Sequence, residues 1–409
     1  MKINDDRLQE NFDVITSISA TDIGCTRLSY SYEDQQVRNI LIKKMTTLGL
    51  LISIDGVGNI RGKYSPSNAK GKSLLIGSHI DTVVQGGKYD GLMGTLSSLE
   101  VITTIVESDI NLKKPLEIIV FAEEEGSNFG STMLGSKFLA GDLTYHELEN
   151  MKNFDGVPAI RIMQEAGMKP NIDTVQEMDD SADMMLEYHV EQGGVLEDEN
   201  RSIGIVEAIA GMQTMKVSVI GQSNHAGTTP MHLRKDPLVT ASKIIHRIST
   251  LPNVYGGEKT VMTVGKVLVE PNGSNVIPSK VEFYVDIRDV IKEKIENTYQ
   301  RLSEYIYSTC ANAKLICYIE KAGESKPVQC SEKLRSLIEM SARNNDLPYI
   351  CMNSGAVHDC AMLAKKLEIG MIFVPSRNGI SHNPDEFTEW EDVVMGANLL
   401  LDVVLELTQ

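Results

Sequence analysis

The sequence lacks several features that would assign a protein to a membrane, secreted or disulfide-rich class. No stretch holds eighteen consecutive apolar residues, so no segment is predicted to be a transmembrane helix. The first residues, MKINDDRLQENFDVI, are acidic and lack the apolar core of a signal peptide. The six cysteines include no CxxC pair, and such scattered thiols are typical of intracellular proteins without a disulfide framework. We therefore expect a cytoplasmic protein.

Basic charge is also scarce. The chain has 39 Lys and Arg residues against 56 Asp and Glu residues, which gives a formal net charge of −17. No basic stripe offsets this excess, so the surface should repel nucleic acid and anionic membranes. We expect neither of them as a partner.

The length of 409 residues exceeds what one compact core usually holds, so two domains are expected. Buried-type strands such as SLLIGS and LEIIVFA alternate with helical patterns, which predicts an α/β layer with a mainly parallel sheet. Alternating strands and two helices follow in the order of a split βαβ unit. We predict a catalytic domain over 1–210 and 328–409, and an inserted smaller α+β domain over 211–327.

Two of the apolar strands lead directly into polar residues. SLLIGS delivers His79, and LEIIVFA delivers Glu123, Glu124 and Glu125, at the strand ends where α/β sheets form their sites. The H-x-D pair of His79 and Asp81 is, by itself, as consistent with a capped turn as with a metal ligand. Three consecutive acids are usually a solvated surface. Here they follow a buried strand, where packing three carboxylates is costly without cations.

Three further residues have ordinary interpretations when each is taken alone. Asp90 in GGKYDG is typical of a turn, His189 in LEYHVEQGG of a buried histidine with a satisfied hydrogen bond, and His382 in NGISHNPDEF of a polar loop. Together with the acids above they supply the two or three histidines and two or three carboxylates of a two-metal hydrolytic site. The residues therefore predict a dinuclear metallohydrolase, with roles only partly assigned.

Eight motifs, in chain order, carry a resemblance to a known family: GSHIDTV, GGKYDG, EEEGSNF, LEYHVEQG, NHAGTTPM, VDIRD, SGAVHD and ISHNP. The chain resembles the allantoate amidohydrolase and N-carbamoyl-L-amino acid hydrolase family, which is grouped with the aminoacylase and carboxypeptidase-G-like dinuclear metalloenzymes. The resemblance covers nearly the whole chain. It implies cleavage of the C–N bond of a carbamoyl or ureido group on a small carboxylate, with release of ammonia. It also implies two divalent ions per subunit, zinc or manganese, with cobalt or nickel as alternatives.

The resemblance further implies a role for each residue of the site. The implied ligands are His79 and His189 for one ion, Glu125 and His382 for the other, and Asp90 as the bridge between them. Glu124 would be the general base that activates the water bridging the ions. Asp81 would hydrogen-bond His79 and orient it, as residues behind metal ligands do.

The smaller domain would be a lid and dimerisation domain in a homodimer whose active site is shared between subunits. The resemblance implies that His225 stabilises the oxyanion in the partner's site and that Arg288 and Asn275 hold the substrate carboxylate. It also implies that Gln192 and the stretch from Gly355 to His358 line the pocket. Without the family, Arg288 would be interpreted as part of a surface salt bridge and His225 as a polar turn residue.

The substrate and the chemistry stay open at this point. Asn128 stands in EEGSNF where the family commonly has arginine, which could shift specificity. The apolar residue Met212 slightly favours the carbamoyl-amino acid enzymes. The segments SRNGISHNP and HIDTVVQGGKYDG are more similar to those of the allantoate enzymes. An aminoacylase or dipeptidase would use the same metals and the same base. A non-catalytic binding relative would be expected to lose ligands or the base, all of which this chain retains.

Overall fold

The computed structural model describes residues 1–170 and 181–409. The chain folds into two compact units: a larger one of Met1–Glu207, Cys330–Met352 and His358–Gln409, and a smaller one of Ala208–Gln329 and Asn353–Val357. Residues 171–180 of the predicted catalytic domain lie outside the described residues. The domain boundaries predicted from the sequence, and the lid and dimerisation role of 211–327, stay predictions.

The strands of the described residues are β1 Leu51–Ile54, β2 Ile60–Tyr64, β3 Ser73–His79, β4 Leu116–Phe121, β5 Ala182–Val190, β6 Ile203–Ile209, β7 Gly211–Ile220, β8 Asn224–His225, β9 Val261–Glu270, β10 Val276–Ile277, β11 Lys280–Asp289, β12 Ile316–Ser325, β13 Val328–Gln329, β14 Tyr349–Ser354 and β15 Glu368–Val374. The helices are α1 Asp5–Thr16, α2 Tyr32–Thr47, α3 Leu92–Glu107, α4 Leu134–Ala140, α5 Tyr145–Asn150, α6 Ala159–Glu165, α7 Val195–Asp198, α8 Pro237–Ile248, α9 Pro252–Tyr255, α10 Lys292–Asn312, α11 Glu332–Asn344, α12 Asp359–Leu363 and α13 Trp390–Thr408.

The sheet of the larger unit has the order β1-β2-β4-β3-β5-β15-β6. Its four central strands, β4, β3, β5 and β15, are parallel, whereas β1, β2 and β6 pair with their neighbours antiparallel. Every residue of β3 and β4 is buried, which explains why these strands are apolar at almost every position and do not alternate. The prediction of an α/β fold with a mainly parallel sheet is confirmed.

The helix α3 leads from the loop that contains Asp90 into the apolar core of the larger unit. It is buried from Leu92 to Ile105 and packs against β3, β5 and α13. A helix that is buried on every side is held in place by close packing. Because α3 begins two residues after Asp90, its burial fixes where that carboxylate lies.

The smaller unit contains an antiparallel sheet of order β12-β7-β11-β9. The chain passes through it as β7, α8, β9, β11, α10 and β12, which is the order predicted from the sequence. In β7 buried and partly buried residues alternate along the whole strand. The buried positions pack with α8 and α10 into one apolar core, so this unit is a sheet covered by helices on one face.

None of the described helices combines the length and the apolar character that crossing a membrane requires. The six cysteines are free thiols.

Candidate metal centre

Parallel strands of the larger unit place four polar side chains at one edge of the sheet. His79 is the last residue of β3, and Glu124 and Glu125 follow the end of β4. His189 is the next-to-last residue of β5, which pairs with β3 on its other side. Because neighbouring parallel strands end at the same edge, residues from three separate motifs meet there.

Asp90 lies between two groups of candidate ligands. Its Oδ1 is 3.2 Å from Nε2 of His189 and 3.6 Å from Nε2 of His79. Its Oδ2 is 3.3 Å from Nε2 of His382, which is itself 3.3 Å from Oε2 of Glu125. One carboxylate is thus shared by the groups His79–Asp90–His189 and Asp90–Glu125–His382. The structure brings all five predicted ligands together, while their role as ligands stays a prediction.

These distances fit divalent ions as the occupants. Nitrogen and oxygen ligands lie about 2.0–2.2 Å from a tetrahedral zinc ion, which separates two ligands of one ion by roughly 3.3–3.6 Å. The four distances above are between 3.2 and 3.6 Å. The histidine and carboxylate donors suit zinc and manganese, and also cobalt and nickel.

Backbone groups orient two of the imidazole rings. Nδ1–H of His79 donates to the carbonyl of Asp81 at 3.0 Å, and Nδ1–H of His189 donates to the carbonyl of Val190 at 2.9 Å. The lone pair of each ring is therefore on Nε2, the atom that faces the centre. The amide of Gly91 donates to Nε2 of His189 at 3.2 Å, in agreement with this tautomer.

Asp81, predicted to hydrogen-bond His79, makes this contact with its backbone and not with its carboxylate. The nearest carboxylate oxygen of Asp81 is 3.8 Å from Nδ1, and it is the backbone carbonyl that accepts the hydrogen bond. The carboxylate instead accepts from the amides of Glu124 at 3.3 Å and Glu125 at 3.1 Å. Asp81 therefore orients the histidine with its backbone and the two acids with its side chain.

The turn after β4 holds Glu124 in place. The carbonyls of Glu123 and Glu124 accept from the amides of Leu134 and Met133 at the beginning of α4. Glu123 adopts a left-handed backbone conformation with φ +54°, which makes the turn sharp. Glu124 is 8 % exposed, and its Oε2 lies 3.8 Å from Nε2 of His79. It lies beside the candidate ligands and belongs to neither group.

The electrostatics of the acids also fit cations. Burial raises the pKa of Glu124 well above its usual range and raises that of Glu123 and Glu125 to about 8. Burial also acts to raise the pKa of Asp90, but the three histidine rings that face its carboxylate hold it well below its usual range. Three consecutive carboxyls can thus all be charged only when positive charge is nearby. Divalent ions would supply it.

Gln192, predicted to line the pocket, contacts the centre directly. Its Nε2 donates to Oδ2 of Asp90 at 2.7 Å and lies 3.5 Å from Nε2 of His382. Its Oε1 is buried and has no hydrogen-bond partner among the described residues. The His382 side chain is 49 % exposed, whereas the other predicted ligands are buried or nearly so. This end of the centre is therefore the more accessible one.

Two predicted substrate-binding residues lie next to each other in the smaller unit. Nδ1 of the exposed His225 accepts from the amides of Gly227 at 3.0 Å and Thr228 at 3.2 Å. Its ring proton is therefore on Nε2, which is available as a donor. The carbonyl of Asn275 accepts from the amide of Ala226 at 3.0 Å and so lies beside this histidine.

Arg288 lies on β11, and three of its N–H groups already donate hydrogen bonds within the smaller unit. Its Nε and Nη2 donate to the carboxylate of Asp286 at 2.9 and 3.3 Å, and its Nη1 donates to the carbonyl of Gly355 at 2.9 Å. The salt bridge that the sequence predicts for Arg288 without the family is thus present, and its partner is Asp286. A guanidinium has five N–H groups, so two remain for a second anion.

His358 is the predicted pocket residue that is least accessible. It belongs to the larger unit, is 2 % exposed, and its ring packs edge-on against those of His189 and Phe373, with centroid distances of 4.7 and 5.6 Å. Besides this ring contact, His358 forms a third group of possible ligands with Glu187 and His189. Its role in substrate binding stays a prediction, as do those of Gln192, Gly355, Asn275 and Arg288 and the oxyanion-stabilising role of His225.

Sequence reasoning missed two residues that hold His79. A Cβ on Gly91 would lie 2.3 Å from the His79 ring, and the backbone there has φ +62°, so only glycine fits. The hydroxyl of Thr95 donates to the carbonyl of His79 at 2.8 Å. The glycine that follows Asp90 in GGKYDG was the available signal.

Asn128 stands where the family commonly has arginine. Its side-chain amide donates to the carbonyl of Ser29 at 2.9 Å.

The chain is similar to known proteins along almost its whole length. The sequence profile of peptidase family M20/M25/M40 matches residues 75–406. An N-carbamoyl-L-amino-acid amidohydrolase of Pseudomonas sp. (strain NS671) is 36 % identical over 409 residues, which cover 99 % of this chain and 98 % of that protein. An allantoate amidohydrolase of Bacillus subtilis (strain 168) is 35 % identical over 390 residues, covering 95 % of this chain and 94 % of that protein.

A crystal structure of an amidase of the hydantoinase/carbamoylase family from Burkholderia multivorans superimposes with a TM-score of 0.91 at 30 % identity, covering 99 % of this chain and 98 % of that one. The resemblance stated from the motifs and the prediction of a hydrolase of non-peptide C–N bonds are confirmed. The chain belongs to peptidase family M20/M25/M40.

Proposed function

We propose that the protein is a metal-dependent amidohydrolase that removes a carbamoyl or ureido group from a small carboxylate and releases ammonia. The observation that carries this proposal is the Asp90 carboxylate shared by two ligand groups, with the uncommitted carboxylate of Glu124 beside them. Relatives named for allantoate and for N-carbamoyl-L-amino acids support the substrate class. Carbon dioxide follows when the carbamate product decomposes.

Two divalent ions per subunit complete the centre in this proposal. His79 and His189 hold one ion, Glu125 and His382 hold the other, and Asp90 joins both. Zinc or manganese would polarise the scissile carbonyl and lower the pKa of water. The remaining chemistry falls to side chains of the chain itself.

Glu124 transfers the proton. Its carboxylate is buried beside the candidate ligands and belongs to neither ligand group, so it is free to hold a proton between two steps. It takes that proton from the attacking water and passes it to the nitrogen of the breaking C–N bond. The hydrogen bonds that the Asp81 carboxylate accepts from the amides of residues 124 and 125 keep this acid in position.

His225 and Arg288 bind the two ends of the substrate. Nε2–H of His225 donates to the developing oxyanion, and the two uncommitted N–H groups of Arg288 bind the carboxylate together with Asn275. In this proposal the protein is a cytoplasmic homodimer, and His225 serves the site of the partner subunit. Sedimentation of the purified protein, with a mass of two chains as the expected result, tests the dimer.

The substrate class is tested by measuring ammonia release from allantoate and from a panel of N-carbamoyl-L-amino acids. N-acetyl amino acids and dipeptides are assayed alongside for release of free amino acid. We expect ammonia from the ureido substrates, its loss after chelation, and its recovery when manganese or zinc is added back. Turnover of acyl amino acids or dipeptides alone would instead make the protein an aminoacylase or dipeptidase. Bound metal without any turnover would indicate a binding relative.

Replacing Arg288 by alanine should raise KM for carboxylate substrates about 10- to 100-fold and change kcat much less, because hydrogen bonds to a charged group contribute about 1.5–3 kcal/mol. Steady-state kinetics on the preferred substrate give both values. A ureido compound that lacks the carboxylate should show the same KM with both proteins. Arg247→Ala, which changes an arginine on α8 of the same unit, is the control. An unchanged KM in Arg288→Ala would mean that the carboxylate is bound elsewhere.

A further inference from the structure

Glu386 is a buried acid that the function described above does not use. It lies four residues after His382 and is 4 % exposed. Its Oε1 accepts from the amides of Tyr89 and Asp90 at 2.8 and 3.0 Å. Its Oε2 accepts from the hydroxyl of Ser381 at 2.8 Å. Three donors from two distant loops thus converge on one carboxylate.

Both of these loops carry a candidate ligand. One contains Asp90, whose own amide is among the donors. The other contains His382, which directly follows Ser381. The hydroxyl of Ser381 also lies 3.2 Å from Oδ2 of Asp90, the oxygen that faces His382. Glu386 therefore connects two members of the group Asp90–Glu125–His382 through contacts behind both of them.

The GGKYDG loop is shaped to admit this carboxylate. A Cβ on Gly87 would lie 2.0 Å from Oε1 of Glu386, far inside contact distance. The absence of a side chain at Gly87 thus allows the carboxylate to reach the amides of the following residues. An anionic acceptor makes stronger hydrogen bonds to such amides than a neutral one does.

The ring of His382 is half-exposed, and the backbone of this residue is left-handed with φ +53°. Within the loop, the amide of Glu386 donates to the carbonyl of Asn383 and the amide of Asp385 donates to the Asn383 side chain. These bonds shape the turn but do not connect it to Asp90. The Glu386 carboxylate makes that connection, together with the Ser381 hydroxyl that lies 3.2 Å from Oδ2 of Asp90.

We propose that Glu386 is a positioning residue that holds Asp90 and His382 at the separation that a common ion requires. It sets the affinity of the group Asp90–Glu125–His382 for its metal. This inference rests on the proposed function, because the metal whose affinity Glu386 sets is one of the two proposed ions. Residues behind metal ligands typically change metal affinity about 10- to 100-fold when they are replaced.

The test is titration of the metal-free protein with Zn²⁺ against a competing chelator. Wild type is expected to bind two ions per subunit. Glu386→Ala should weaken the binding of one ion about 10- to 100-fold and that of the other by less. Gly87→Ala should act in the same direction, because its Cβ displaces the carboxylate without removing it. Glu386→Gln keeps one oxygen for the two amides and should be intermediate.

Glu100→Ala is the matched control. Glu100 is 1 % exposed, and its carboxylate accepts from the amide of Asn4, the guanidinium of Arg7 and the hydroxyl of Thr104. Its loss should lower the thermal stability of the larger unit and leave both zinc affinities unchanged. A purely structural role for Glu386 would give this same pattern and would overturn the proposal.

A His382→Ala background identifies the ion concerned. If Glu386 acts on the group that contains His382, then Glu386→Ala should weaken zinc binding much less when that histidine is already missing, since substitutions on one network are not additive. Additive losses would contradict the assignment. Should Glu386→Ala fail to fold, Gly87→Ala decides the same question. Fewer than two zinc ions in wild type would count against the proposed two-ion centre, whereas two ions with unchanged affinity in Glu386→Ala and Gly87→Ala would count only against Glu386.

Discussion

Replacing Glu124 by glutamine should lower kcat about 100- to 10,000-fold, the usual contribution of a general acid–base group, while both ions stay bound. Glutamine has nearly the same size and keeps an oxygen, so the turn between β4 and α4 should remain as it is. It cannot take up a proton. Since Glu124 lies 3.8 Å from His79 but belongs to neither ligand group, its loss should affect the chemical step and not metal binding.

Three measurements on Glu124→Gln separate these effects: metal content after gel filtration, KM and kcat. Unchanged metal content and KM with a strongly reduced kcat is the expected combination. Glu123→Gln is the control from the same run of acids, because the Glu123 carboxylate accepts from the amides of Asn128 and Phe129 and belongs to no candidate ligand group. A Glu124→Gln protein with normal turnover would exclude Glu124 as the base, and one that loses metal would make it a ligand.

Replacing Asp90 by asparagine should abolish binding of both ions at micromolar metal and, with it, turnover. Each carboxylate oxygen faces a different group, Oδ1 the rings of His79 and His189 and Oδ2 the ring of His382. An amide is neutral, and its NH₂ group would face one of these groups with hydrogens in place of a lone pair. The loss should exceed the 10- to 100-fold that is usual for a residue behind a ligand.

Comparison with His382→Ala makes the Asp90 result specific. His382 belongs to one group only, so its replacement should leave one tightly bound ion per subunit, whereas Asp90→Asn should leave none. Metal content measured by inductively coupled plasma mass spectrometry distinguishes the two outcomes. Asp142→Asn, which removes a surface partner of Lys365, controls for the loss of one charge. Two retained ions in Asp90→Asn would show that Asp90 does not join the two positions.

Much of the fold follows from apolar periodicity. The strands predicted at SLLIGS and LEIIVFA are β3 and β4, and every residue of both is buried. Periodicity predicts these elements well because burial of one face, or of a whole strand, is what selects the residue types. The antiparallel direction of β1, β2 and β6 in the large sheet was not predicted, since strand direction depends on connections and not on composition.

The candidate centre, like the fold, could be predicted from the sequence only in part. Its histidines and acids could be named because they directly follow apolar strands, and strand ends at one edge of a parallel sheet must lie close together. Whether Asp81 contacts His79 with its carboxylate or its carbonyl could not be predicted, because both groups belong to the same residue. A difference of less than about 1 Å in side-chain placement decides between them, since hydrogen bonds weaken steeply outside a narrow range of distance and angle.

The sequence by itself determined the α/β class, the strands that end in polar residues, the set of candidate ligands and the family. Only the tertiary structure decided that Oδ1 and Oδ2 of Asp90 face different ligand groups, that His358 packs against His189, and that Glu386 is buried behind Asp90. The sequence around an acid in a polar loop is the same whether its carboxylate contacts solvent or accepts a hydrogen bond from a backbone amide. The contact between Glu386 and Asp90 spans 296 residues, and it exists because packing of the intervening strands and helices brings their loops together.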